Sequence, residues 1–207
     1  RTEGEWVMSF FENTRKPTGL GGRIMIAMMD LGHRALANWG LQFLEPFADA
    51  SILDCGCGGG ANIRRLLKTC PKGSVKGIDH SEISVERSRA LNQCAIDAGR
   101  CEILKASAAK LPFEAARFDR VTAFETVYFW LDLPEGFREV HRVLKPEGMF
   151  LICNECGDGK GEKWAERIDG MVVYGGAQLK NALEQAGFTG VQIHRNKKGW
   201  LCVTGRK

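Results

Sequence analysis

The stretch SILDCGCGGGANIRRLL, residues 51–67, decides the fold. Ile52 and Leu53 begin an apolar strand, Gly56, Gly58, Gly59 and Gly60 form a turn, and a helix with apolar spacing starts near Ala61. Glycine lets backbone approach a ligand closely, and the first turn of a helix presents N–H groups without intrahelical partners. Strand, glycine turn and helix in that order make a nucleotide-binding corner.

Two nucleotides compete for it. Gly56-x-Gly58-x-x-Ala61 satisfies the dinucleotide fingerprint, whose last position accepts Ala, and Asp79 lies near the expected distance downstream. That reading makes the chain an NAD-dependent oxidoreductase. Asp54, two residues before the first glycine, argues the other way. A carboxylate at the tip of the first strand repels a pyrophosphate but suits a ligand carrying an ammonium and a sulfonium.

Working outward, the chain alternates. SVKGID (74–79) reads as a strand, and residues 81–99 read as a helix with Ser81 as N-cap and Gly99 at its end. CEILKAS (101–107) is a third strand and roughly 118–125 a fourth. LPEGFREVHRVLK places Phe137, Val140, Val143 and Leu144 on one helical face and stops at Pro146 and Gly148. GMFLICNE is the fifth strand. Such alternation implies parallel βαβ units. The end breaks the rhythm: AQLKNALEQAGF (177–188) is an amphipathic helix, followed by two strands around a polar turn at residues 196–199, a hairpin. A dinucleotide-binding sheet stays parallel.

Hydrophobic content of 44% and charged content of 26% are those of a soluble globular protein, and 207 residues fit one domain. The net charge of +4 is scattered along the chain, which argues against a nucleic-acid partner. No apolar run spans a bilayer and residues 1–30 lack a signal-peptide core, so a cytoplasmic protein without membrane contact is expected. The chain opens on Arg1, which suggests that a few residues ahead of it are missing.

Eight cysteines are present. Cys55 and Cys57 lie in the glycine turn, and Cys153 and Cys156 form one CxxC. A zinc site would join the two pairs; the simpler expectation is reduced thiols packed as small hydrophobes, with no metal. Ahead of the first strand, residues 1–45 carry three helix-like stretches, read as a cap whose Met25, Met28, Met29 and Phe43, with Phe47 just beyond, serve packing. The glycine-rich, charged residues 157–170 read as a surface excursion able to act as a lid.

Taken in order, the glycine motif, Asp79 closing the second strand, Leu111-Pro112-Phe113 after the third, Phe118-Asp119 before the fourth and Leu144-Lys145-Pro146-Glu147-Gly148 before the fifth resemble the class I S-adenosylmethionine-dependent methyltransferases. The likeness covers about residues 46–207 and is nearest to the small-molecule branch that includes quinone-ring methyltransferases. It implies a seven-stranded doubly wound α/β sheet with a C-terminal antiparallel hairpin. It also implies S-adenosyl-L-methionine as the cofactor, leaving as S-adenosyl-L-homocysteine, with the methyl passing to a small molecule by in-line displacement.

The resemblance also implies roles at matching positions. Gly56, Cys57, Gly58 and Gly60 would border the methionine part, Asp54 its ammonium, and Asp79 both ribose hydroxyls, with His80 against adenine. The family's Gly-Asp-Ala after the third strand is Ala106-Ser107-Ala108 here, so Ser107 and Ala108 would meet adenine with a neutral hydroxyl in place of a carboxylate. At the end of the fourth strand stands Phe124-Glu125-Thr126-Val127-Tyr128-Phe129-Trp130, without the Pro-Pro of DNA base methylation. Glu125 could border the cofactor and take or orient an acceptor's proton, with Tyr128 as a second candidate; Tyr174, His33 and Glu155 are weaker ones and His141 is set aside. Phe129 and Trp130 would wall the sulfonium or pack the sheet edge. Aminopropyl transfer and a non-catalytic cofactor-binding subunit remain as alternatives. The acceptor and the oligomeric state stay open.

Overall fold

The computed structural model describes residues 33–45, 48–159, 161–166 and 168–207. Its centre is a seven-stranded sheet of β1 (Ser51–Cys55), β2 (Ser74–Asp79), β3 (Cys101–Lys105), β4 (Phe118–Phe124), β5 (Leu144–Asn154), β6 (Thr189–Arg195) and β7 (Leu201–Arg206), in the order β3-β2-β1-β4-β5-β7-β6. Pairings from β3 through β5 are parallel, while β7 runs antiparallel between β5 and β6. The chain winds outward from β1 to β3, then returns to place β4 on the other side of β1. The sheet's topological switch therefore lies between β1 and β4, where ligands of open α/β sheets bind.

Side chains alternate between two cores, as a strand's period of two requires. Leu53, Val121 and Ile152 face α5 (Leu133–Val143) and α7 (Gly176–Gln185); Ile52, Val75 and Leu151 face α1 (Arg34–Gly40), α2 (Ala61–Thr69) and α3 (Glu82–Leu91). Phe137, Val140 and Val143 of α5 are all fully buried. Each contributes about 1.5–3 kcal/mol in removing apolar area from water. Asp132 caps α5, accepting from Glu135 N–H at 2.9 Å. The hairpin turns where Asn196 Oδ1 accepts from the backbone N–H of Lys198 and Trp200, with Gly199 at φ 81°.

Two elements depart from expectation. The helix read over 81–99 breaks into α3 and α4 (Gln93–Asp97) at Asn92. That buried side chain donates to Gly60 O at 3.1 Å and Ser88 O at 2.9 Å, tying the helix to the glycine turn. β5 begins at Leu144, ahead of the Pro-Glu-Gly expected to end the previous helix, because Leu144 pairs with Phe118 before the register shifts. Of the expected cap, α1 packs on β5 so closely that a Cβ on Gly40 would sit 2.6 Å from Cys153 Sγ. Phe43 stacks on His194 at 4.0 Å between ring centres. Met25, Met28, Met29 and Phe47 lie outside the described residues.

Cys55 points into the core under α5, and Cys57 and Cys153 into the opposite one. Cys55 and Cys57 thus face opposite sides of the sheet, and these three thiols serve as apolar packing, while Cys156 is only partly buried. No helix of the described residues is long and apolar enough to cross a membrane.

Gly56 and Gly58 separate packing from conformation. Both have positive φ, but a Cβ on Gly56 would lie 2.1 Å from Thr126 Oγ1 while one on Gly58 meets nothing within 4 Å. Gly58→Ala should cost about 1–2 kcal/mol for the left-handed backbone alone. Gly56→Ala should cost about 3 kcal/mol or more, adding overpacking. Urea denaturation of both variants checks this, and equal losses would contradict it.

Candidate functional site

Three strand ends build the site. After β1, the N–H groups of Gly56 and Cys57 both donate to Ile78 O, at 2.8 and 2.9 Å, locking the glycine turn onto β2. At the end of β2, Asp79 Oδ2 accepts from Gly58 N–H and Oδ1 from Ser81 N–H, each at 2.9 Å. Each oxygen keeps one free lone pair, and the carboxylate lies on the wall of a cavity of about 450 Å³. Helix capping and ligand binding are thus compatible at this one side chain.

Among the residues read from the sequence, Gly56, Cys57, Gly58, Asp79, His80, Ser107, Ala108 and Glu125 line that cavity. Asp54, Gly60 and Tyr128 lie behind it. Gly58 faces open space, whereas the room a side chain would need is filled at Gly56 by Thr126 and at Gly60 by Ser88 and Asn92. Ser107 Oγ already accepts from Ala109 N–H at 3.2 Å, leaving one lone pair for a ligand donor. Asp54 is 1% exposed and accepts from Thr122 Oγ1 at 2.7 Å. Burial pushes its carboxyl up to about 7, and the neighbouring Asp79 charge adds to that.

The other end of the cavity is built around Glu125. Its backbone is left-handed, φ 57°, a conformation costly for a side chain with a Cβ. It is held by Glu125 N–H donating to Cys153 O at 3.0 Å. Oε1 accepts from the Glu155 N–H and from Tyr128 Oη, the latter at 3.2 Å. Tyr128 in turn accepts from Cys156 N–H at 2.8 Å and is 2% exposed, so it braces Glu125 from behind the wall. Oε2 lies 3.8 Å from His33 Nε2, which is also 4.0 Å from Glu155 Oε2. Burial drives the Glu125 carboxyl up to about 8 against those two hydrogen bonds. Burial likewise lowers His33, with Glu155 opposing.

His33, Glu125 and Glu155 each offer one ligand atom within 4.8 Å of the others, the group among the described residues whose donor types would suit a divalent cation. Phe129 and Trp130 line the wall here, with Leu36 and Ala37 of α1 opposite. Trp130 packs edge-on 5.8 Å from Phe137, as expected of a residue at the sheet edge, and its Nε1 donates to Thr126 Oγ1. None of the described residues of 157–170 lines the cavity; beyond the sheet loops its wall takes Leu36 and Ala37 of α1, Ala61, Asn62 and Arg65 of α2 and Ser84 of α3. Sequence reading ranked His33 low because a lone histidine ahead of the core has no spacing signal; only the docking of α1 brings it to Glu125. Tyr174 and His141 pack elsewhere, His141 edge-on against Phe188 at 5.1 Å.

Residues 53–152 match the family model of a methyltransferase domain. This part of the chain is a methyltransferase domain. Cycloartenol-C-24-methyltransferase 1 of Oryza sativa subsp. japonica is 35% identical over 105 residues, covering 51% of this chain and 30% of that protein. The O-methyltransferase cnsE of Penicillium expansum is 30% identical over 169 residues, covering 79% of this chain and 60% of its own. The chain therefore spans between about a third and three-fifths of these relatives. A crystal structure of an S-adenosylmethionine-dependent methyltransferase from Aquifex aeolicus superposes with a TM-score of 0.73 at 22% identity, covering 89% of this chain and 97% of that one, which shows a common fold.

The raised Glu125 carboxyl of the methyltransferase domain sets a pH signature. Because Glu125 titrates near 8 when folded and about 4.3 when unfolded, the unfolded chain loses its proton first. Stability then falls as pH rises through that window and levels off above it. Glu125→Gln should match the wild type near pH 4 and exceed it near pH 8.5, by on the order of one kcal/mol per pKa unit removed. Denaturation midpoints across pH test this; a variant less stable at high pH would contradict it.

Proposed function

We propose that the chain transfers a methyl group from S-adenosylmethionine to a small-molecule acceptor by direct in-line displacement. The observation that carries this reading is the single cavity joining Asp79 and Gly58 at one end to Glu125, Phe129 and Trp130 at the other. One end offers a two-oxygen acceptor beside an open glycine, and the other an acid among aromatic rings. The site also fits the methyl donor electrostatically. Asp54 and Glu125 are buried carboxylates with no lysine or arginine partner among the described residues. A ligand bearing an ammonium and a sulfonium supplies the positive charge that both lack.

When bound, S-adenosylmethionine supplies a sulfonium-activated methyl and departs as a neutral thioether. Asp79 receives the ribose hydroxyls with its free lone pairs, and Ser107 accepts from the adenine edge. Asp54 supports the ammonium from beneath the turn. Phe129 and Trp130 present ring faces to a cation, an attraction of about 0.5–2 kcal/mol. The remaining work is positioning: α1 closes the acceptor end against water while the β4 loop holds the acceptor in a near-attack geometry. An NAD-dependent oxidoreductase fits less well, since Asp54 sits under the turn and the sheet ends antiparallel.

Calorimetry should show micromolar binding of S-adenosylmethionine and S-adenosylhomocysteine and none of NAD. Asp79→Ala should weaken both by about 1.5–3 kcal/mol, the scale of hydrogen bonds to a charged group. With methyl-labelled donor and a small-molecule extract, mass spectrometry should find a labelled product. Tight binding without any labelled product would favour a non-catalytic subunit instead, and saturable NAD binding alone would overturn the reading.

A further inference from the structure

We propose that His33 is the group that takes the acceptor's proton, and that the acceptor is a phenol. The proposal rests on the methyl-transfer reading above. It starts from the shape of the acceptor end. Leu36, Phe124, Phe129, Trp130 and Leu131 form its wall. Leu131 is 91% exposed, an uncovered apolar side chain at the rim. Such a wall recognises a flat apolar body, because aromatic rings favour stacked and edge-on contacts. Beside the Thr126 and Asp132 side chains, its titratable groups gather where His33 and Glu125 line the cavity and Glu155 converges on them from a third segment.

Within that cluster the roles divide by geometry. Glu125 Oε1 accepts from the Glu155 N–H and faces the Tyr128 hydroxyl, whose one proton it shares with Cys156 O, and its Oε2 faces His33. His33 and Glu125 both line the cavity, and at 31% exposed against 13% the imidazole is the more open of the two. A neutral imidazole carries a lone pair on one ring nitrogen and can accept a proton there. As the phenol oxygen forms its bond to the methyl carbon, the carbon–sulfur bond breaks with its electron pair going to sulfur. The phenol O–H bond breaks and its proton passes to His33 Nε2. The imidazolium so formed stands 4.0 Å from Glu155 Oε2, a carboxylate placed to stabilise it, with Glu125 Oε2 at 3.8 Å on its other side. α1 positions this base: Leu36 and Ala37 are buried, Gly40 abuts Cys153, and His33 sits at the helix's N-terminal end.

The test uses His33→Asn and a panel of phenols, some un-ionised at the assay pH and some nitrophenols fully ionised there. Calorimetry with S-adenosylhomocysteine confirms that the variant is folded. With un-ionised phenols, kcat/KM should fall about 10²-fold or more, the usual scale of general-base help; with ionised ones it should stay within a few-fold. Equal loss on both classes, or none on either, overturns the base assignment. Absence of transfer to any phenol by the wild type overturns the acceptor class, while labelled product from the extract would leave the methyl-transfer reading intact. Loss of activity on chelation, restored by manganese or zinc ions, would also overturn the proposal by assigning the same three side chains to a cation.

Discussion

The site depends on a contact between two strand ends. Thr126 fills the space that a Cβ on Gly56 would occupy, so the loop leaving β4 starts directly against the glycine turn leaving β1. These are the strands between which the sheet reverses its winding. With any larger residue at position 56 the two loops would part, and the Asp79 and Glu125 ends would no longer share one cavity. The glycine motif is thus as much a packing device as a ligand-binding one. Gly60 shows the same logic: Ser88 and Asn92 occupy its side-chain space and bind the turn to the following helix. Gly58 is the member left facing open space.

Around that contact the domain buries two acids that pair with no lysine or arginine among the described residues. Asp54 and Glu125 are both shifted upward by burial, and Glu125 is also held with a left-handed backbone. These features cost stability and persist only because the surroundings fix them: Thr122 on one acid, Tyr128 and the Glu155 N–H on the other. Backbone strain and acids pushed up by burial, one in the cavity wall and one behind it, suit a site prepared for a cationic ligand.

Much of this was legible in the sequence, for identifiable reasons. The strand–turn–helix of residues 51–67, the Asp79 position and the closing hairpin follow from local patterns, since glycine turns and period-two alternation act over a few residues. The break at Asn92 was not legible, because it depends on a bond to Gly60 32 positions away. Nor was the bracing role of Tyr128, which is set by Cys156 across the next crossover. The convergence of His33, Glu125 and Glu155 joins three loops that have no common spacing. Local signals place the ends of β4 and β5 at the sheet edge, and only the packing of α1 brings His33 to them.

A structure of the protein with S-adenosylhomocysteine bound tests the central claim most directly. The account predicts the ribose hydroxyls on Asp79, the backbone of Gly58 against the amino-acid part, and the thioether sulfur directed toward Glu125 and the aromatic wall. A ligand seated outside this cavity, or one whose sulfur points away from Glu125, would contradict it.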